Sequence, residues 1–290
     1  MSTIKSWLSM VKFSHSVFAL PFALSAAWLA SSGVPSPRVL GLIILCTVAA
    51  RTAAMAFNRL VDRRIDALNP RTQTRELVSG EVSSTSAILM VIASSAIFIG
   101  GAFALNPLSG WLSLPVLATL LGYSFAKRVT WLAHLVLGLA LGLAPLGAWI
   151  AVTGELSGSL LPPLLLALAV MTWVAGFDLI YSCQDADFDR ENALHSVPAR
   201  FGVAGALRFS TLLHVVTAAA LVAFGLNSDL GIAYWAALVV VLALLTWQHG
   251  LVSADDLSRV DMAFFSLNGW VGVLLFLGLA TDLALWSEAG

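Results

Sequence analysis

Stretches of apolar residues long enough to cross a lipid bilayer recur along this 290-residue sequence. A spanning helix needs about 20 mostly apolar residues, whereas a membrane β-barrel would show alternating segments of about 10 residues. The charged fraction is only 11%, which leaves no room for a separate soluble domain. We therefore predict an all-α integral membrane protein that forms a single domain over residues 1–290. The nine candidate spans lie at about 13–32, 39–57, 86–105, 108–126, 131–152, 160–180, 207–226, 231–249 and 262–284.

The positive charges predict the orientation of these spans. With nine spans, the N-terminus and the even-numbered loops share one side, and that side carries thirteen lysines and arginines against Arg38 alone on the other. Because positive residues concentrate in cytoplasmic loops, we place the N-terminus in the cytoplasm, the C-terminus outside, and the protein in the inner membrane. The first apolar run, preceded by Lys5 and Lys12, exceeds the usual signal-peptide core, so we expect a retained span.

Two long cytoplasmic loops, about 58–85 and 181–206, hold most of the ionisable residues. In the first, Asn58, Asp62 and Asp66 are spaced by four residues and therefore share one helical face. The Asn69-Pro70 pair is expected to end that helix, because a residue before proline is pushed out of the α region. The active surface is therefore predicted on the cytoplasmic side.

The second loop repeats the Asp-x-x-x-Asp pattern of the first. Offsets of three, seven and eleven residues predict a second polar stripe on one helical face, formed by Asp178, Tyr181, Asp185 and Asp189. Asp187 lies off this stripe, and we expect it to be an ordinary solvated carboxylate. The similarity of the two loops is consistent with an ancient internal duplication.

Stripes of carboxylates at a membrane boundary need a cation, because like charges four residues apart repel and lipid increases the penalty. Oxygen ligands without His or Cys suit Mg²⁺, which commonly binds through a few carboxylates together with substrate phosphate oxygens. The paired stripes therefore predict Mg²⁺-bridged binding of a diphosphate, with nearby arginines and lysines on the remaining phosphate oxygens. The alternative is that these carboxylates are solvated helix ends and caps.

For several other residues the sequence allows two interpretations. Arg51 lies inside the second span on the face of Asn58, and it binds substrate or pairs with a motif aspartate. Lys127 and Arg128 bind phosphate or an acceptor carboxylate, or they anchor the span as positive-inside residues. His15 is expected to be a packed or interfacial histidine. The two cysteines, Cys46 and Cys183, are too few for a disulfide framework or zinc site and are expected to pack.

These motifs resemble those of the UbiA family of intramembrane aromatic prenyltransferases. The family's second motif, Asp-x-x-Tyr-x-x-x-Asp-x-x-x-Asp, is complete here, and its first motif departs only at Arg59, where many members have Asp. That departure bears on how many metal ions are held. Four further stretches resemble the bacterial quinone branch of the family: Lys12–Pro21, Asn69–Gly80, Tyr123–Gly154 and His195–Gly202.

The resemblance implies nine transmembrane helices around a central cavity, with cytoplasmic caps over the aspartate motifs. It also implies transfer of a polyprenyl chain from its diphosphate to a hydroxylated aromatic acceptor in ubiquinone or menaquinone biosynthesis. The acceptor is 4-hydroxybenzoate or, as the Arg59 variant suggests, 1,4-dihydroxy-6-naphthoate of the futalosine route. The expected partners are these two substrates and the lipid bilayer, with no nucleic acid.

The mechanism that we expect starts with ionisation of the allylic C–O bond and ends with attack by the electron-rich ring. Asn58 and Asp178 support the metal site, and Tyr181 orients the diphosphate or stabilises the cation.

Two other classes of membrane protein are rival interpretations of this sequence. The CDP-alcohol phosphotransferases use an aspartate motif that is absent here, and a transporter or channel places its ionisable residues near the bilayer midplane. The four carboxylates expected to hold Mg²⁺ are Asp62, Asp66, Asp185 and Asp189.

Overall fold

A computed structural model describes residues 4–11, 18–156 and 158–289, and within these residues the chain is helical with no strands. Short helices and single turns cap the ends of the long ones that carry the two motifs. The helices are α1 (Ile4–Met10), α2 (Leu20–Ala30), α3 (Pro37–Leu68), α4 (Glu76–Ser79), α5 (Ser84–Leu105), α6 (Pro107–Gly122), α7 (Ala126–Val129), α8 (Ala133–Thr153), α9 (Leu161–Ser182), α10 (Ala186–Glu191), α11 (Val197–Asn227), α12 (Ile232–Gly250) and α13 (Asn268–Ala289).

Eight helical segments among the described residues are long and apolar enough to cross a membrane, and α2 is a shorter apolar helix of 11 residues. The prediction of an all-α membrane protein is confirmed, and each of the nine predicted spans overlaps one of these helices. The first one differs in extent: the predicted run 13–32 is described as helix only over Leu20–Ala30. Residues 12–17, including His15, lie outside the described residues.

Helix α3 carries the first motif in its last turns. It begins at Pro37, where the Ser36 side chain accepts a hydrogen bond from the backbone N–H of Val39, at 3.4 Å. Its 32 residues extend over about 48 Å, well beyond a hydrocarbon core of about 30 Å. The helix ends at Leu68 and Asn69 is extended, as the following proline predicts. Helix α3 is therefore long enough to span the bilayer core and still extend beyond it.

Helix α9 lies in the centre of the bundle and carries the second motif. Fully buried Trp173 donates its indole N–H to Asn268 of α13, with an Nε1–Oδ1 distance of 2.7 Å. After Ser182 the chain tightens into a 3₁₀ turn over Cys183–Asp185 and continues as α10. The predicted stripe is therefore present, but it runs through this tighter turn and not along one straight α-helix.

The second loop is more helical than the sequence predicts. Helix α11 begins at Val197, about ten residues before the predicted span, so Pro198 lies in its first turn. Gly202 then interrupts the helix with φ 73° and ψ 169°, a conformation that glycine adopts at little cost. In the first loop, by contrast, Pro70 and Gly80 lie between helices as expected. Both cysteines are buried and free, in agreement with a packing role.

Candidate functional site

Two adjoining cavities occupy the half of the bundle that contains α3, α8 and α9. One, of about 540 Å³, is apolar and is walled by α3, α5, α6 and α8. The other, of about 320 Å³, is polar and is lined by both motifs. The two cavities adjoin, because five residues line both of them: Arg51, Met55, Tyr123, Leu137 and Leu141.

The first motif lines one wall of the polar cavity. Asn58 donates its Nδ2 amide to Asp62 Oδ2 at 2.8 Å, and Arg128 Nη2 lies 3.1 Å from Asp62 Oδ1. One turn further along α3, the carboxylate of Asp66 pairs with Arg75, with an Oδ1–Nη1 distance of 2.5 Å. The predicted alignment of the three motif residues on one helical face is present, because all three line this cavity.

The second motif lines the opposite wall. The carboxylate of Asp185 accepts hydrogen bonds from Nε and Nη2 of Arg71. It also accepts one of 3.0 Å from Nδ2 of Asn69. Asp189 lies 3.2 Å from the Nζ of Lys127 and is almost completely buried. Each wall thus places two carboxylates beside cations that come from other segments of the chain.

The remaining two residues of the second motif have different partners. The hydroxyl of Tyr181 accepts a hydrogen bond of 2.7 Å from Arg71 Nη1, and the Arg71 guanidinium also lies 4.8 Å from the ring centroid. Asp178 Oδ2 lies 2.7 Å from Nδ1 of buried His134. Burial alone would lower the pKa of Arg71, but its bonds to Asp185 and Tyr181 outweigh burial and raise that pKa. Arg71 is therefore a permanent cation.

The charge compensation differs from the sequence-based expectation. That expectation assigned it to a metal ion, whereas Arg or Lys side chains pair with all four aspartates that we expected as ligands. Within the described residues, no group of three or more His, Cys, Asp or Glu side chains is close enough to hold an ion. The donor set still suits Mg²⁺, which commonly completes its shell with water and substrate phosphate oxygens.

Two further arginines line the polar cavity. In the described part of the chain neither Arg51 nor Arg59 has an ion-pair partner, so the reading of Arg51 as paired with a motif aspartate is wrong. The Nε of each is buried and without a hydrogen-bond partner. Arg59 is only 5% exposed. A buried unpaired cation is unfavourable, so both arginines mark places where an anion would be stabilised.

Asp187 lies outside the cavity, as the helical spacing predicts. Its side chain is 87% exposed and pairs with Arg190 at 2.9 Å. Lys127 and Arg128, by contrast, line the cavity, where each pairs with a motif aspartate.

Comparison with known proteins now identifies the family. Residues 19–272 match the model of the UbiA prenyltransferase family, which is most of the chain. The chain belongs to the UbiA prenyltransferase family. It is 34% identical to the 4-hydroxybenzoate octaprenyltransferase of Nitrosomonas europaea over 260 residues, which is 88% of this chain and 86% of that protein. It is also 34% identical to the enzyme of the same name from Yersinia pseudotuberculosis, over 88% of this chain and 87% of that protein.

Solved structures of the family share the fold. The apo structure of a UbiA homolog from Aeropyrum pernix K1 superposes with a TM-score of 0.84 and 37% identity, over 93% of this chain and 98% of that one. A UbiA homolog from Archaeoglobus fulgidus bound to DMAPP and Mg²⁺ superposes with a TM-score of 0.74 and 18% identity, over 97% of this chain and 99% of that one. The chain is therefore an integral membrane protein and a prenyltransferase.

Several cavity residues of this UbiA prenyltransferase were not predicted as site residues. Asn69 was predicted as a helix end, and Arg71 and Arg75 were counted among the positive charges of the first loop. Beyond that, these three residues, like Tyr123 and His134, lie in stretches that resemble the bacterial quinone branch, but no motif singled them out. The spacing of Arg71 and Arg75, four residues apart directly after the first motif, was the available clue.

Proposed function

We propose that this protein transfers a polyprenyl chain from its diphosphate to a hydroxylated aromatic acid, 4-hydroxybenzoate or 1,4-dihydroxy-6-naphthoate, in quinone biosynthesis. One observation carries the proposal: two walls of carboxylates and cations enclose a polar cavity that adjoins an apolar one. The names of the relatives, 4-hydroxybenzoate octaprenyltransferases, support the first acceptor. A charged head and a long apolar tail are the two parts of a polyprenyl diphosphate.

The polar cavity would hold the diphosphate together with Mg²⁺. The ions would bind to four carboxylates: Asp62, Asp66, Asp185 and Asp189. When bound, they neutralise the charge that develops on the leaving diphosphate. UbiA homologs of Archaeoglobus fulgidus bound to DMAPP or GPP together with Mg²⁺ support this cofactor.

Side chains of the protein would then act directly on the diphosphate. The cations beside the four carboxylates would donate to phosphate oxygens: Arg71, Arg75, Lys127 and Arg128. Asn58 keeps Asp62 oriented through its amide, and Tyr181 holds Arg71 in place. Charge-assisted bonds from guanidinium groups to phosphate are strong and directional, so they orient the allylic C–O bond.

The acceptor would lie at the junction of the two cavities. Arg51 lines both cavities, and its buried Nε has no partner within the described residues. Both candidate acceptors carry a carboxylate, which an unpaired guanidinium recognises. The prenyl tail would occupy the apolar cavity, whose walls exclude the water that would quench an allylic cation.

The proposed orientation follows the charge distribution. The N-terminus and the polar cavity face the cytoplasm, the C-terminus lies outside, and residues 1–290 form one domain in the inner membrane. The rival reading, a transporter or channel, is disfavoured because the ionisable residues of the polar cavity gather at one end of the bundle and the apolar cavity carries little charge.

The test is an activity assay on the purified protein in detergent. It is incubated with Mg²⁺, a radiolabelled polyprenyl diphosphate and each candidate acceptor in turn. We expect a lipid-soluble product that contains both the labelled chain and the ring. A protein that forms no such product with either acceptor, yet moves ions across liposome membranes, would contradict the proposal and favour the transporter reading.

A further inference from the structure

Asp178 differs from the other four aspartates that line the polar cavity in the described structure. Those four pair with Arg or Lys side chains, whereas Asp178 pairs with a histidine, His134. We propose that Asp178, held by His134, accepts the proton that the acceptor ring loses after alkylation. This inference rests on the proposed prenyl transfer and adds to it the residue that completes the aromatic substitution.

The hydrogen bond defines which atoms are available. His134 Nδ1 lies 2.7 Å from Asp178 Oδ2, and Nε2 of the same ring is buried without a partner. A buried N–H without an acceptor is costly, so the proton is best placed on Nδ1, from which it is donated to Asp178. This bond fixes Oδ2, while Oδ1 has no hydrogen-bond partner among the described residues.

The position of Asp178 suits contact with the ring better than contact with the diphosphate. It precedes Asp185 by seven residues, which is about 10 Å along a helix. It lines the polar cavity together with Leu137 and Leu141, which also line the apolar cavity. His134 is only 2% exposed, whereas the Asp178 side chain is 22% exposed. The carboxylate therefore faces the cavity and the imidazole lies behind it.

The chemical step balances without any further reagent. The allylic C–O bond breaks and its electron pair leaves with the diphosphate. A ring carbon forms the new C–C bond and then carries both the prenyl group and its original hydrogen. That C–H bond breaks, its electron pair restores the aromatic ring, and the proton passes to Asp178 Oδ1. Asp178 becomes neutral, while His134 continues to donate to Oδ2.

His134 is therefore a positioning residue, and Asp178 is the catalytic one. A general base of this kind contributes about 100-fold or more to a rate. With the base in place, proton loss is fast and ionisation limits turnover. Without it, proton loss becomes slow, so replacing ring hydrogen by deuterium slows the reaction.

The experiment measures transfer rates with ordinary and fully ring-deuterated acceptor. We expect no isotope effect in the wild-type protein. Asp178→Asn should lose about 100-fold in rate and gain an isotope effect. His134→Leu should show the same change in weaker form, and His134→Asn, which keeps a donor near the Nδ1 position, should restore most of the rate. Thermal stability in detergent is recorded for each variant.

The outcomes separate this inference from the proposed function. A wild-type protein that transfers no prenyl group to any acceptor contradicts the proposed function itself. A wild-type protein that is active, together with an Asp178→Asn variant that is slow but shows no isotope effect, contradicts the role of Asp178 alone. A folded His134→Leu variant with wild-type rate and no isotope effect contradicts the positioning role of His134.

Discussion

Asn69, the residue at which α3 ends, donates a hydrogen bond of 3.0 Å from Nδ2 to Oδ1 of Asp185 in the second motif. Asn69, which ends the helix of the first motif, thus also contacts the second motif. Both side chains are buried, and the same Asp185 oxygen also accepts a hydrogen bond from Arg71. This contact links the two walls of the polar cavity.

We expect Asn69→Ala to destabilise the protein and to lower transfer activity. A hydrogen bond to a charged group contributes about 1.5–3 kcal/mol, so the loss should be of that order. Detergent-state thermal unfolding and product formation measure the two effects. The matched control is Asn192→Ala, which removes an exposed amide bonded only to the Phe188 carbonyl. Equal effects of the two substitutions would contradict a special role for Asn69.

Asp62→Ala and Asp185→Ala should each reduce prenyl transfer at least about 100-fold. Each carboxylate would hold a Mg²⁺ ion, and losing one electrostatic stabiliser of the developing anion costs about that much. The bundle should stay folded, because the cations left behind, Arg128 and Arg71, are 37% and 29% exposed and can reach water. Product formation at saturating Mg²⁺ is the measurement.

Asp187→Ala is the control for this pair, because the Asp187 side chain is exposed and points away from the cavity. It should cost much less activity than Asp185→Ala. If the two losses are equal at unchanged stability, the assignment of the second stripe is wrong. Near-normal turnover of Asp62→Ala would exclude a metal clamp built from both motifs.

Removal of divalent metal should abolish transfer reversibly. The oxygen donor set suits Mg²⁺, so excess EDTA should stop product formation and added Mg²⁺ should restore it. Thermal stability in EDTA should change little, because the carboxylates have Arg and Lys partners without metal. Full turnover in EDTA would contradict the proposed cofactor.

Arg51→Leu should weaken recognition of the acceptor carboxylate. The ratio of kcat/KM for 4-hydroxybenzoate over that for phenol should fall about 10- to 100-fold, as expected for loss of a charged hydrogen bond. The KM for the prenyl diphosphate should stay nearly constant. Arg38→Leu is the control, because Arg38 is bonded to the Ala104 carbonyl outside both cavities. An unchanged preference of Arg51→Leu for 4-hydroxybenzoate over phenol would contradict the binding of the acceptor carboxylate by Arg51.

Cysteine labelling tests the orientation. Ser79 lies exposed in the first predicted cytoplasmic loop and Ser159 lies exposed in a predicted outer loop, while the native cysteines are buried. A membrane-impermeant thiol reagent applied from the periplasmic side should label Ser159→Cys and leave Ser79→Cys unmodified. The reverse pattern would overturn the charge-based topology.

The sequence predicted those features that depend on one segment at a time. Apolar length located the spans, helical spacing aligned Asp62 with Asp66, and Asn69-Pro70 placed the end of α3. It did not predict pairs between distant segments, such as Arg71 with Asp185, which are 114 residues apart. Periodicity within a helix says nothing about which cation of another loop lies opposite, so the tertiary packing was needed.

Local backbone changes were also beyond the reach of spacing arguments. Gly202 was predicted to lie before a span, yet the helix already starts at Val197 and bends at this glycine. The buried pair of His134 and Asp178 was missed because His134 stands alone in an apolar segment. A single polar residue in such a segment becomes interpretable only when its neighbour on another helix is known.

The matching of four carboxylates with four cations around one cavity has a thermodynamic consequence. These eight groups neutralise one another in pairs. Metal alone would displace the cations and leave them without counterions, and diphosphate alone would do the same to the carboxylates. Only the two together satisfy both sets, so they should bind with positive cooperativity. Linkage then requires that each raises the affinity of the other by the same factor.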